Sequence, residues 1–238
     1  MSIETISRSR NCLSPWPSLS TVDYCYNPRY RIRFVILIRS QIIFEEVQMG
    51  YSQAQKEKTH KRIVAIASKR FREKGLAGFG IAELMKEAGL TVGGFYKHFE
   101  SRDELVAEAL GDAFGVWQRQ KEAAESGGQP FSFASLVDDY LSDVHRKNPG
   151  AGCAFSALAP EIARSDKRTR ALTSEQVRKD LELIVGMLPG KDKRAARSRA
   201  ILTFSALVGA MSLARAVSDE ALSREILKTV ADLLKNPA

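Results

Sequence analysis

The sequence predicts an all-α protein, with a three-helix head followed by a larger helical body. Three observations carry this. Apolar side chains recur at helical spacing, as in Ile81, Leu84, Met85 and Ala88 at i, i+3, i+4 and i+7. Breakers such as Pro149, Pro189 and Gly190 fall between these runs, and no run alternates as a strand would.

In chain order, residues 1–48 fit neither pattern, since Pro15, Pro17 and Pro28 break any regularity. The segment reads as an extension ahead of a start at Met49; the alternatives are a disordered arm or a short extra strand or helix. Its apolar run Phe34–Ile38 is flanked by Arg33 and Arg39 and lies too far in for a signal peptide. The run is also far below the roughly 18 residues that cross a bilayer, so no membrane partner is expected. Cys12, Cys25 and Cys153 are too few and too scattered for a disulfide framework or a zinc site. A reducing, cytoplasmic setting follows as the expectation, with no metal and no cofactor.

Met49–Lys58 reads as a polar lead-in to a first helix at about Thr59–Lys74, where Ile63, Ala67 and Phe71 recur every fourth residue and Gly75 stops the run. A second helix covers about Ile81–Ala88. Gly89 then stands where a left-handed residue reverses the chain, and Thr91 is placed to cap a third helix at about Val92–His98. Phe71, Leu84, Leu90, Phe95 and Phe99 form the expected core of this head. A helix, a tight glycine turn and a second helix make the helix-turn-helix unit of DNA-binding proteins. Ser101-Arg-Asp-Glu104 reads as a capping box opening a fourth helix, whose apolar face runs on through Leu105, Ala109, Val116 and Trp117. Further helices are expected at roughly Ser132–Arg146, Cys153–Arg164, Asp166–Leu188, Lys193–Val217 and Asp219–Lys235.

Charge singles out the same region. The net charge is +8, yet residues 49–100 hold ten Lys and Arg against five Asp and Glu, whereas residues 101–238 hold twenty against nineteen. A basic head on a near-neutral body is the footprint of a polyanion-binding protein. Within the third helix, Gly93 and Gly94 each cost about 1 kcal/mol relative to Ala, which is offset if the outer backbone must approach another molecule closely. A seven-residue helix spans about 10 Å and enters a major groove about 12 Å wide end-on. Thr91 and Val92 then face base edges or thymine methyls, Lys97 a phosphate or guanine, and Tyr96 a phosphate.

Phe71, Gly75, Ile81-Ala82-Glu83-Leu84-Met85, Ala88-Gly89-Leu90-Thr91, Gly93, Tyr96-Lys97-His98-Phe99 and Ser101-Arg-Asp-Glu-Leu105 together resemble the N-terminal domain of the TetR family of bacterial transcription regulators. The resemblance implies an all-α homodimer whose third helices enter the major groove and whose bodies bind a small effector and dimerise. It gives Gly93, Tyr96, Lys97 and His98 as DNA-facing or backbone-contacting, Thr91 as the small hydroxyl residue at the start of the recognition helix, and Arg102 as a phosphate contact. His98 has a structural alternative, holding the end of the third helix. Where many members enter the second helix with Thr or Ser, Phe79-Gly80 stand here, leaving that phosphate to bare amides.

In the body, Gly152-Cys153 is similar to a branch of the family with a Gly-Cys pair at the start of a helix, some members of which sense electrophiles or oxidants. Cys153 is then either a thiolate favoured by the helix field or a small buried apolar residue. By the same resemblance Phe204, Leu207, Val208 and Met211, with Leu222, Ile226 and Val230, are expected in a dimer interface, the alternative being an intrachain core. The expected domains are an extension over 1–48, a DNA-binding head over 49–101 and a ligand-binding, dimerising body over 102–238. The expected function is a repressor released from a palindromic operator by a small ligand or by an oxidant or electrophile. Nonspecific nucleic-acid binding is the alternative, and an enzyme using Cys153 and His145 a remote one.

Overall fold

The computed structural model describes residues 37–38, 41–42, 47–128 and 130–236. The chain divides into two compact units, Met1–Val47 and Gln48–Ala238. In the first, β1 (Leu37–Ile38) pairs antiparallel with β2 (Gln41–Ile42), placing Leu37 opposite Ile42. The rest of the reading for residues 1–48 lies outside the described residues, apart from the first turn of α1.

The second unit is helical among the described residues. Its head comprises α1 (Val47–Lys74), α2 (Ile81–Glu87) and a 3-10 helix, Val92–Lys97. α1 begins well before the expected Thr59, so Met49–Lys58 forms its first turns, and the 48/49 boundary falls inside a helix. Residues 53–58 are exposed and bury no apolar face; good helix formers such as Gln, Lys, Glu and Ala suffice there, and periodicity has nothing to register. α2 closes in a Schellman motif: Gly89 has φ +69°, its N–H donates to the Lys86 carbonyl at 3.0 Å, and the Leu90 N–H donates to the Met85 carbonyl at 2.8 Å.

The third helix is 3-10 rather than α, with the Gly94 N–H donating to the Thr91 carbonyl and the His98 N–H to the Phe95 carbonyl, both at 2.9 Å. Two adjacent glycines weaken an α-helix, and the tighter turn still drives Phe95 and Phe99 fully inward. Thr91 takes the N-cap position, but its hydroxyl makes no capping bond.

In the body, the long fourth helix expected from Ser101 onward is two helices, α3 (Arg102–Ala113) and α4 (Val116–Ser126). The break is at Gly115, whose φ of +71° no helical residue adopts. The Ser101 hydroxyl caps α3 by accepting the Glu104 N–H, but the Glu104 carboxylate reaches back to the Glu100 amide instead of closing the box on Ser101. The helix expected over Ser132–Arg146 also divides, into α5 (Phe133–Tyr140) and α6 (Asp143–Lys147), because Ser142 starts a new helix by accepting the His145 N–H. A 3-10 turn, Pro149–Ala151, leads to α7 (Ala154–Ile162), followed by α8 (Lys167–Met187), α9 (Lys193–Ala216) and α10 (Glu220–Lys235).

α9 is packed against α7, α8 and α10. It is long and apolar enough to cross a membrane, a property it shares with core helices of water-exposed folds. Phe204, Leu207 and Met211 are buried in the chain's own core, Phe204 edge-on to Trp117 and Phe155. These three expected interface residues therefore present no face to a mate. A detail shows how closely α7 and α9 fit: Pro160 has no N–H for the Ser156 carbonyl four residues back, and the Ser212 hydroxyl on α9 donates to it at 2.9 Å instead.

Candidate functional site

The exposed face of the head is built from backbone as much as side chains. Thr91, Val92, Gly93, Tyr96 and Lys97 are exposed along the 3-10 helix, with Tyr96 at 71% and Val92 at 49%. A Cβ on Gly93 would meet nothing within 4 Å, whereas one on Gly94 would touch the Met85 side chain at 3.5 Å. Only Gly93 therefore leaves its outer backbone wholly open. Much of the head's basic charge is committed internally: Arg70 holds Glu87 with both Nε and Nη2 and Glu73 with Nη1, and Lys74 pairs with Glu83 at 2.5 Å. The Glu87 carboxyl is held below its usual range by Arg70. Lys56, Lys58, Lys61, Arg62, Lys86 and Lys97 are exposed and unpaired among the described residues.

Two expected contacts are placed differently. His98 is half-buried, its Nδ1 is enclosed without a partner, and burial with His60, Lys56 and Lys97 nearby lowers its pKa, so the ring is neutral at neutral pH. Its neighbour His60 bonds Glu108 on α3 at 2.6 Å and stacks on Phe99 at 4.5 Å. Arg102 turns inward, donating to the Leu76 carbonyl and lying 5.8 Å over the Phe71 ring. It braces the head from the foot of α3.

The Leu76 peptide is in fact gripped on both sides. Its carbonyl accepts from Arg102, and its N–H donates to Glu161 Oε1 on α7 at 2.8 Å. A second tie joins Arg72, near the end of α1, to the Gly150 carbonyl at 3.0 Å from Nε and 2.6 Å from Nη2. A Cβ on Gly150 would overlap the end of the Glu73 side chain, which would have to move aside.

Directly behind these ties lies a cavity of about 530 Å³. Its aromatic walls come from Phe114, Trp117, Tyr140 and Phe155, where Phe114 stacks on Phe155 at 5.2 Å and Trp117 meets Tyr140 edge-on at 5.6 Å. The turn Asn148–Cys153 contributes Asn148, Ala151, Gly152 and Cys153. His145 has both nitrogens occupied: Nδ1 donates to the Tyr140 carbonyl at 2.6 Å, and Nε2 accepts the Cys153 N–H at 3.0 Å. That pattern requires the neutral ring, and burial lowers its pKa accordingly. Gly152 is obligatory here, since a Cβ would overlap the His145 ring.

Cys153 occupies the N-cap of α7, as expected, but burial pushes its thiol pKa up, against the hydrogen bonds that lower it. Because His145 spends Nε2 on the Cys153 amide, it is not available as a base for the thiol. Asp180 on α8 is the conspicuous polar member of the cavity. It is 8% exposed, its Oδ1 accepts from Gln176 at 2.9 Å, and burial pushes its carboxyl up to about 6. Sequence reading missed it, although a signal was present: Val177, Asp180, Leu181 and Ile184 share one helical stripe, placing a carboxylate at a core position.

On α9 and α10, Val208, Ile226 and Val230 are half-buried and Leu222 is 42% exposed. The same two helices expose Leu233 at 63%, which continues the spacing of Leu222, Ile226 and Val230, and, not foreseen from the sequence, Leu202 at 66% and Leu213 at 58%.

Comparison with known proteins agrees with this geometry. Residues 63–109, from the middle of α1 into α3, match the family model of bacterial regulatory proteins of the TetR family. The chain is 23% identical over 192 residues to an uncharacterized HTH-type transcriptional regulator of Haemophilus influenzae, covering 75% of this chain and 90% of that protein. It is similar in fold to reduced NemR of Escherichia coli, with a TM-score of 0.60 and 20% identity over 75% of this chain and 96% of that one. A TetR-family regulator from Cytophaga hutchinsonii superposes with a TM-score of 0.61 and 19% identity, covering 76% of this chain and 95% of its own. With the helix-turn-helix geometry, the basic head and these matches in hand, the chain is a DNA-binding transcriptional regulator whose head, over residues 63–109, is similar to that of the TetR family.

Proposed function

We propose that the chain acts in the cytoplasm as a homodimeric repressor that leaves a palindromic operator when a small molecule fills the body cavity. One observation carries the release step: the cavity wall is hydrogen-bonded to the head. Gly150, in the turn that lines the cavity, accepts from Arg72, while α7, whose first turn forms another wall, holds the Leu76 amide through Glu161. A ligand that displaces the turn or α7 shifts the population of head positions, because the two arrangements differ in these bonds.

In this reading residues 49–101 are the DNA-binding head and residues 102–238 the ligand-binding and dimerising body, with 1–48 an extension. Thr91, Val92, Gly93, Tyr96 and Lys97 meet DNA. Gly94 and His98 support the 3-10 helix from behind, and Arg102 acts by positioning rather than by touching phosphate. The raised thiol pKa of Cys153 favours noncovalent release over electrophile sensing.

The test is to select the duplex bound by the purified protein and measure its affinity with and without cavity ligands. Sequence-independent binding would favour the nonspecific alternative and sink the operator reading. Cys153→Ser should leave ligand-induced release intact; loss of release in that variant would restore the covalent mechanism.

A further inference from the structure

The charges lining the cavity define the kind of molecule that fits it, an inference that rests on the effector-release reading above. Among its lining residues are two carboxylates, Asp139 at the exposed edge and buried Asp180, and neither Lys nor Arg. Asp180 has no cationic partner among the described residues, and its only hydrogen bond comes from Gln176 on its own helix. Arg72 and Arg215 stand behind the wall, but their donors go to protein oxygens: Arg72 to Gly150, and Arg215 to the carbonyls of His145 and Arg146 and the Ser156 hydroxyl. His145 is closed to protonation by its two backbone bonds.

A second, independent group lies beside the same space. The Tyr140 side chain lines the cavity, and its buried hydroxyl makes no well-formed hydrogen bond, although the Cys153 thiol and Ser156 stand beside it. A buried hydroxyl without a partner costs free energy that a bound donor or acceptor recovers. Around both groups the walls are the aromatic faces of Phe114, Trp117, Tyr140 and Phe155, which attract cations through their quadrupoles. An anion would meet a buried carboxylate, and a neutral apolar molecule would leave that carboxylate and the hydroxyl unpaired.

We infer that the effector is a lipophilic organic cation, a protonated amine on an aromatic body, whose ammonium pairs with Asp180 and donates to Tyr140. The cavity volume of about 530 Å³ suits a compound with two or three rings.

The test uses the full chain without DNA and a matched pair of probes, N-benzyl-1-naphthylmethylamine, cationic at neutral pH, and benzyl 1-naphthylmethyl ether, its neutral isostere. By calorimetry the ammonium should bind at least about tenfold tighter than the ether. Asp180→Asn should bring the ammonium down to the level of the ether while leaving ether binding unchanged, which separates lost charge from a damaged fold. Tyr140→Phe should weaken the ammonium more than the ether. Equal binding of the two probes, no ammonium binding at millimolar concentration, or an ammonium preference that survives Asp180→Asn would overturn the inference. Duplex release is measured separately. An ammonium that binds through Asp180 yet leaves duplex affinity unchanged overturns the release reading alone, and release by neutral or anionic compounds only overturns the cation alone.

Discussion

Gly93 and Lys97 make opposite demands on the same helix. Lys97 is exposed and unpaired among the described residues, so Lys97→Ala should weaken DNA binding across sequences and reduce the salt slope of log affinity by about one unit. A slope equal to that of the parent protein would mean that Lys97 meets no phosphate. Gly93 has open space where a Cβ would go, so Gly93→Ala should fold with a melting temperature equal to or above the parent's. If the backbone is what approaches DNA, the same substitution should cost about tenfold or more in duplex affinity. Titratable groups separate by sign. His145 and His98 are held neutral, below their ordinary 6.5, so the stability they contribute is full above about pH 6.5 and is lost as pH falls toward their folded values. Asp180 moves the other way, from 3.8 to about 6, and its ionisation removes stability as pH rises through that window. Asp180→Asn should therefore raise ligand-free stability at pH 7 by about 1–3 kcal/mol, as denaturant unfolding would reveal.

Elements carry the link between cavity and head, and here the sequence was less legible. Helix positions from Ile81 onward follow from periodicity and breakers, because amphipathic helices advertise the face they bury. The splits at Gly115 and Ser142 escaped notice because apolar spacing continues across them, and only a left-handed glycine and a serine cap interrupt the backbone. The helix-turn-helix was readable because its chemistry is local, whereas the cavity draws on α3 through α8 and depends on contacts between residues far apart in sequence, such as Phe114 on Phe155. Nothing local in the sequence distinguishes Arg72 from the other cations of its basic helix, because its partner is 78 positions away. Arg72→Ala and Glu161→Ala should leave ligand affinity within a few-fold while shrinking the ligand-induced change in duplex affinity. Full release in both variants would show that coupling runs through α3 alone.

At the scale of the whole molecule, one short recognition helix reads too few bases to specify a site, and two heads spaced about 34–36 Å apart read a palindrome. The mate is expected against α9 and α10, where Leu202, Leu213 and Leu233 stay exposed beside Gly209, which has open space at its Cβ position. Leu202→Glu combined with Leu233→Glu should yield a folded monomer by sedimentation, since neither side chain is buried in the chain, with operator affinity reduced by about a hundredfold or more. An unchanged dimer would place the interface elsewhere. Finally, any coupling that the doubly held Leu76 peptide carries between the two sites must run in both directions. If filling the cavity lowers operator affinity by about a hundredfold, the operator must lower cavity affinity by the same factor, a coupling of about 2.7 kcal/mol. Protein already seated on its operator is thus the population least responsive to effector, and molecules free in solution capture the ligand first.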